Sequence, residues 1–190
     1  MSSLHLVPEK TALVLIDLQN GIVGMPTAPY PAAEVVERSR KLAESFRAKG
    51  APVVYIYVDL ANFHQLPVDA PLRDPNVPPP PAAASELVPE AGFQDGDLLI
   101  TKRHWGAFAG TELEQELKKR GVETVVLGGI ATNFGVESTA RQGTGLGFAF
   151  VIVEDACTTI DAGAHRFAFE TIFPRLAKVR KTDEVIASLG

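Results

Sequence analysis

Asp17, Lys102 and Gly135 come from distant parts of the chain, yet each falls at or just after the carboxyl end of an apolar run that reads as a β-strand. In an open parallel sheet those ends lie along one edge, where ligands bind, so an acid, an amine and a glycine turn converge on one crevice. An acid and an amine held together there supply a proton donor or acceptor and a charge that tunes it. Taken singly, Asp17 could be an acid accepting loop N–H groups, and Lys102 a surface lysine beside Arg103. Convergence is what favours chemistry. The stretch from Gly128 to Thr139, GGIATNFGVEST, sharpens the expectation. An apolar strand ends at Leu127, two glycines permit a sharp turn, and a helix is expected to begin near Asn133, its first free N–H groups offering a place for an oxyanion or a polarised water.

The elements that must position these residues alternate. Thr11 to Asp17 is a continuous apolar run ending in an acid, as expected of a strand buried on both faces. From Pro31 to Lys49, Val35, Val36, Leu42, Ala43 and Phe46 recur at helical spacing, with Gly50 as the stop. Further strands are predicted at Pro52 to Val58, Asp97 to Thr101, Glu123 to Gly129, Phe148 to Val153 and Ala177 to Arg180. Helices are predicted from Thr111, with a Thr111 and Glu114 capping box, to Gly121, from about Ala162 to Phe173, and after a Thr182 cap. Strand alternating with helix is the signature of a parallel sheet covered on both sides. Between Asp59 and Ala84 periodicity disappears, and Pro75 to Ala84 is the most proline-dense segment. Its flanks belong to one domain, so a long ordered loop over the site or against a partner subunit is expected rather than a linker.

With 190 residues, 46% of them hydrophobic, the chain fits one domain spanning residues 1–190. A net charge of -5 argues against nucleic-acid binding, which needs a concentrated basic surface. No stretch approaches the ~20 apolar residues of a membrane span. One cysteine excludes an intramolecular disulfide and a Cys-rich zinc site, and a cytoplasmic setting is expected. That residue, Cys157, lies in EDACTT after the fifth predicted strand and reads as inert packing. Gly143, Gly145 and Gly147 follow a helix and precede a strand, the reverse of a dinucleotide loop, and read as a helix stop and a turn. His5, His64, His104 and His165 are scattered, without ligand spacing.

Three segments, IDLQN at Ile16 to Asn20, TKRHWGAFAGT at Thr101 to Thr111, and GGIATNFGVEST, occur together in an order and spacing that resembles the isochorismatase-like hydrolase superfamily, the cysteine hydrolases. The resemblance implies a three-layer α/β/α sandwich with a six-stranded parallel sheet. It implies catalytic roles for Asp17 and Lys102, the amine partly buried against the acid, and puts Gly135 where most members carry the nucleophilic Cys. The chain therefore resembles the branch lacking the thiol, which includes true isochorismatases. It also implies a non-proline cis peptide between Ile130 and Ala131, with the N–H groups of Ala131 and Gly135 forming an oxyanion hole. Gln19, Trp105, Phe108 and Phe134 are candidate substrate contacts, core packing being the alternative for the aromatics, while Arg73, Arg103 and Arg141 could meet a substrate carboxylate. The nicotinamidase branch's Asp-x-His is absent at Asp59, so no metal and no cofactor are expected; relatives commonly form dimers or tetramers, and a homo-oligomer is expected here.

The leading expectation is a hydrolase acting on a small molecule without covalent catalysis, a vinyl ether such as isochorismate being the specific case. An amidase of the cysteine-hydrolase type and a binding protein that has lost turnover are the rivals.

Overall fold

The structure, a computed structural model, describes residues 4–64, 66–72, 74 and 76–190. Six parallel strands form one sheet: β1 Thr11–Ile16, β2 Val53–Val58, β3 Leu98–Lys102, β4 Thr124–Ile130, β5 Ala149–Thr158 and β6 Lys178–Arg180. Their spatial order is β3-β2-β1-β4-β5-β6. The order reverses between β1 and β4, which opens a crevice at their carboxyl ends, the place where ligands bind in sheets of this kind.

All six residues of β1 are buried, Leu13 and Leu15 facing one core and Ala12, Val14 and Ile16 the other. That is the two-period side-chain alternation of a strand covered on both faces, and it explains why the run after Thr11 is wholly apolar. Helix α1, Ala32–Ala48, closes the first core with Val35, Val36, Leu42, Ala43 and Phe46 on its inner face, and the chain leaves it through Gly50 at φ 71°. Helices α2, Leu113–Lys119, and α3, Glu137–Gly145, close the second with Leu113, Leu117 and Ala140. Helix α4, Ala162–Phe167, and helix α5, Thr182–Ser188, complete the layers. Among the described residues no helix is long and apolar enough to cross a membrane.

Several local expectations are corrected. Strand β5 runs on to Thr158, so Cys157 sits inside the sheet, paired in register with Gly129. The capping box of Thr111 and Glu114 forms only in part: Thr111 Oγ1 accepts from the Leu113 amide at the start of α2 and donates to the Ala107 carbonyl, while Glu114 pairs with Lys118 instead of reaching back. Thr182 is the first helical residue rather than the cap, its amide and hydroxyl both bonded to Asp155, and Lys181 holds the cap position. The helix expected from Ala162 to Phe173 changes pitch twice, passing into a π-turn at Ala168–Ile172 and a 3-10 turn at Phe173–Arg175. Gly143 lies within α3, where an added Cβ would come 2.4 Å from the Phe150 ring. Close helix-to-strand packing is its reason, while the expected helix stop falls at Gly145 and the turn at Gly147, φ 93°.

The long segment after β2 is anchored at both ends. Asp59 and His64 donate backbone hydrogen bonds to the carbonyls of Lys102 and Arg103, and Leu60 donates to Ser85 Oγ. Asn20 donates to Ala83 and Gln19 bridges Leu87. Between those anchors Leu66, Val68, Leu72 and Val77 are exposed.

Gly129 is the backbone constraint at the sheet's carboxyl edge. Its φ is 121°, and a Cβ there would lie 2.2 Å from the Ile16 carbonyl oxygen. Gly147, at φ 93°, has nothing within 4 Å of that position. Gly147→Ala is therefore expected to cost only the backbone conformational penalty, about 1 kcal/mol or somewhat more, whereas Gly129→Ala adds a collision with β1 that only separation of the strands relieves. Urea unfolding of the two variants should rank them in that order; equal losses would show that the close approach of β1 and β4 is not a constraint.

Candidate active site

Strand β1 ends at Ile16, and Asp17 turns the chain with φ 55°, the single left-handed non-glycine residue among those described. Aspartate tolerates that region better than most residues, yet the conformation still costs on the order of 1–3 kcal/mol. The Asp17 amide stays bonded to the Ile56 carbonyl at 2.8 Å, so the turn is held by β2 while its carboxylate is directed into the crevice.

Lys102 is the last residue of β3, two strands from β1. Two inter-strand spacings are about 10 Å, a distance that needs a long side chain to cross. Its Nζ reaches Asp17 Oδ2 at 2.8 Å, with both side chains almost fully buried. The same ammonium donates to the carbonyls of His104 at 3.3 Å and Trp105 at 3.2 Å. Three donors therefore meet three acceptors, and the amine is fully engaged. Asp17 is not: Oδ1 is buried with no hydrogen-bond partner. Burial raises the Asp17 carboxyl above its ordinary range, while the charge and hydrogen bond of Lys102 work in the opposite direction.

Gly135 lies on the facing element. After β4 the Ile130–Ala131 peptide is cis, and the chain enters a π-turn, Thr132–Val136, before settling into α3. The helix thus begins at Thr132, one residue earlier than expected. A Cβ placed on Gly135 would stand 3.4 Å from Asp17 Oδ2, 3.5 Å from the Trp105 carbonyl and 3.0 Å from Ile16 Cγ2. A side chain at this position would project directly onto the ion pair. Thr139 Oγ1 donates to the Gly135 carbonyl at 2.6 Å and accepts from the Ala107 amide at 3.0 Å, so the loop carrying Trp105 and the turn carrying Gly135 share one anchor.

Above the pair stands an aromatic wall. Trp105 and Phe134 stack with centroids 5.0 Å apart, each about 40% exposed, and Phe63 meets Trp105 edge-on at 5.1 Å. Phe63 lies in an aperiodic loop and carries no sequence signal; its role comes from the backbone bonds that fasten that loop to β3. Two expected contacts do not belong to the wall. Gln19 is completely buried, exchanging hydrogen bonds with the Val58 backbone and donating to Ala84, which locks the end of β2 to the long loop. Phe108 packs into the core against Phe148, its amide held by Gln142.

The histidines are less scattered than the sequence implies, since His64 Nδ1 and His104 Nε2 lie 3.3 Å apart at the rim. Among the described residues no group of three or more His, Cys, Asp or Glu side chains is arranged to hold a metal ion. Arg103 pairs with Asp59 and Arg141 with Glu137, while Arg73 lies outside the described residues. Cys157 is wholly buried, and that burial pushes its thiol far above the usual range. A separate cavity of about 720 Å³, lined by Tyr57, Leu87, Val88, Phe93 and Leu99, lies along β2 and β3 and does not include the ion pair.

A doubly covered parallel sheet with a buried acid–amine pair at its switch point and a glycine turn facing it defines a class of α/β hydrolytic fold. The chain belongs to the isochorismatase family: the isochorismatase domain matches residues 11–184. It is 46% identical over 198 residues to the isochorismatase family protein YecD of Escherichia coli O157:H7, covering 98% of this chain and 100% of that one. It is 31% identical to the ureidoacrylate amidohydrolase RutB of Acinetobacter baylyi, covering 82% of this chain and 73% of that protein. Among solved structures, an isochorismatase family protein from Burkholderia thailandensis superimposes with a TM-score of 0.90 at 40% identity, covering 98% of both chains. The protein is thus a hydrolase of this family.

The pairing has a testable cost. Lys102→Met leaves Asp17 buried without its counter-charge, and breaking one side of a buried pair costs roughly 3–5 kcal/mol. Removing the amine also raises the Asp17 pKa further. An acid whose folded pKa lies above its unfolded value contributes stability that is present below about 3.8 and is lost as pH rises through the folded pKa. The deficit of Lys102→Met relative to wild type is therefore expected to be large at pH 8 and to shrink toward pH 5. Urea unfolding at both pH values measures it, and a pH-independent deficit would show that Asp17 is not the group left uncompensated.

Proposed function

We propose that this hydrolase cleaves a small vinyl ether, isochorismate being the specific case, with Asp17 as general acid and no covalent intermediate. The observation that carries the reading is the unpartnered, buried Oδ1 of Asp17 beside a Gly135 that has no side chain to activate. Burial raises the Asp17 carboxyl against the opposing pull of Lys102, the direction that a general acid needs. Protonation of the terminal carbon of an enolpyruvyl ether generates an oxocarbenium carbon. Water attacks it, and the hemiketal collapses to pyruvate and a dihydrodiol. Lys102, with all three donors engaged, orients Asp17 and sets its charge rather than binding substrate. Trp105 and Phe134 supply an apolar face for a planar ring.

An amidohydrolase reaction is the second reading, favoured by the similarity to RutB. In the thiol-bearing relatives an Asp serves as base toward a Cys, which Gly135 cannot provide, and Cys157 is sealed within the sheet. The two readings differ in the sign of their pH dependence. An acid role requires protonated Asp17, so turnover falls as pH rises through its raised pKa; a base role requires the ionised form, so turnover rises over the same range.

With isochorismate as substrate and pyruvate release as readout, Asp17→Asn is expected to lose about 10² to 10⁴-fold in turnover. Cys157→Ser should retain nearly all of it. Turnover that survives Asp17→Asn and disappears in a folded Cys157→Ser would place the chemistry elsewhere.

A further inference from the structure

On the β5 side of the π-turn lies a polar chain that the proposed reaction does not use. Thr132 Oγ1 is 2.9 Å from His165 Nδ1, and both residues are buried. The other ring nitrogen, Nε2, faces Glu154 Oε1 at 3.4 Å. Glu154 also accepts from Tyr30 at 2.9 Å and from Lys181. His165 is aimed inward because α4 is started by its Asp161 cap, which accepts from the Ala164 amide at 2.6 Å, and because its ring lies between Tyr30 and Phe169. Burial works to raise the Glu154 carboxyl, but the hydrogen bonds from His165, Lys181 and Tyr30 outweigh it and bring it down to about 2. An ionised Glu154 accepts only, so Nε2 carries the proton, and in the neutral ring Nδ1 accepts from the Thr132 hydroxyl. This order of hydroxyl, imidazole and carboxylate is one that activates nucleophiles elsewhere. Here the hydroxyl has no solvent exposure, so it cannot meet a substrate. Its consequence is mechanical.

Thr132 opens the π-turn that ends at Val136 and presents Phe134 and Gly135. Such a turn holds an extra residue relative to the α-helix it enters and persists only where its surroundings fix it. Two side-chain hydrogen bonds tie it to the β5 side, Thr132 to His165 and Thr159 Oγ1 to Asn133 Oδ1 at 2.7 Å. We propose that His165 is a positioning residue: through Thr132 it fixes the π-turn, and with it the placement of Gly135 against Asp17 and of Phe134 against Trp105. The inference rests on the reading of the Asp17 and Gly135 crevice as the reaction site.

Trp105 is the only tryptophan of the chain, and it stacks on Phe134 within the turn, so its emission reports the turn's position without any substrate. Thr132→Val, nearly isosteric but without the hydroxyl, and His165→Gln are expected to red-shift that emission and increase acrylamide quenching while the far-ultraviolet dichroism stays native. Thr132→Ser, which restores the hydroxyl, should match wild type. Thr182→Val removes a hydroxyl bonded to Asp155 away from the turn and should lower the melting temperature without moving the emission. Unchanged emission in folded Thr132→Val and His165→Gln overturns the proposal, as does an equal shift in Thr182→Val. In the wild type itself, spectra of ¹⁵N-labelled histidine should show one of the four rings locked as the Nε2–H tautomer; averaging of that ring between tautomers also overturns it. Where isochorismate is turned over, Thr132→Val should reduce kcat on the order of 10²-fold with a smaller change in KM, the pattern of a misplaced site. Should wild type release no pyruvate, the substrate assignment fails, while the emission and tautomer results still decide the role of His165.

Discussion

The buried ion pair between Asp17 and Lys102 is the constraint around which the carboxyl edge of the sheet is built. It joins the ends of β1 and β3 across β2, a span that only a fixed strand order can bring within reach of one lysine side chain. Removing two charges from water is expensive, and a buried pair rarely gains enough from mutual attraction to stabilise a fold outright. The surrounding structure offsets that cost unequally. Lys102 receives two backbone carbonyls besides its carboxylate, whereas Asp17 keeps one oxygen unpartnered and a strained backbone. An arrangement chosen for stability would satisfy the acid as fully as the amine. Under the proposed reaction, that imbalance leaves Asp17 rather than Lys102 as the reactive member.

Gly129 and Gly135 set how near the two halves of the crevice come. At Gly129 the backbone of β4 presses against Ile16, the residue just before Asp17, so a side chain there is excluded sterically. At Gly135 the crowding is milder: an added Cβ would be tight only against a methyl of Ile16 and in ordinary contact with Asp17. A side chain at position 135 would therefore require the Ile16 methyl to give by a few tenths of an ångström, whereas one at Gly129 would require the backbone itself to move.

Much of the fold was legible because two-sided burial writes itself as unbroken apolar runs: β1 and β4 are readable within a residue or so of their ends. The convergence of Asp17, Lys102 and Gly135 followed from strand ends together with the resemblance carried by the three segments that hold them. What stayed hidden depends on contacts between segments remote in sequence. Phe63 joins the aromatic wall only because Asp59 and His64 zip to β3, and Gln19 leaves the site only because the Val58 backbone claims its carboxamide. Local rules failed where a tertiary partner outbid a cap, as Asp155 does at Thr182. The two π-turns carry no periodicity of their own, and nothing in a single sequence distinguishes them from the α-helices they interrupt.

The two flanks of the π-turn also differ in kind, and the difference bears on how the crevice keeps its shape. On the β5 side its contacts are hydrogen bonds to buried or half-buried partners, directional and fixed in length. On the β3 side Thr139 Oγ1 also holds the Gly135 carbonyl to the Ala107 amide, and the exposed contact is a ring stack between Phe134 and Trp105, which tolerates sliding. Directional bonds hold geometry to tenths of an ångström, whereas a stack holds only a plane. Hydrogen bonds from both sides thus hold the turn beside Asp17, while the stack leaves the aromatic face freer to adjust. Under the proposed reaction, accuracy beside Asp17 would come from these bonds and latitude at the aromatic wall from the stack, two kinds of contact made by one five-residue turn.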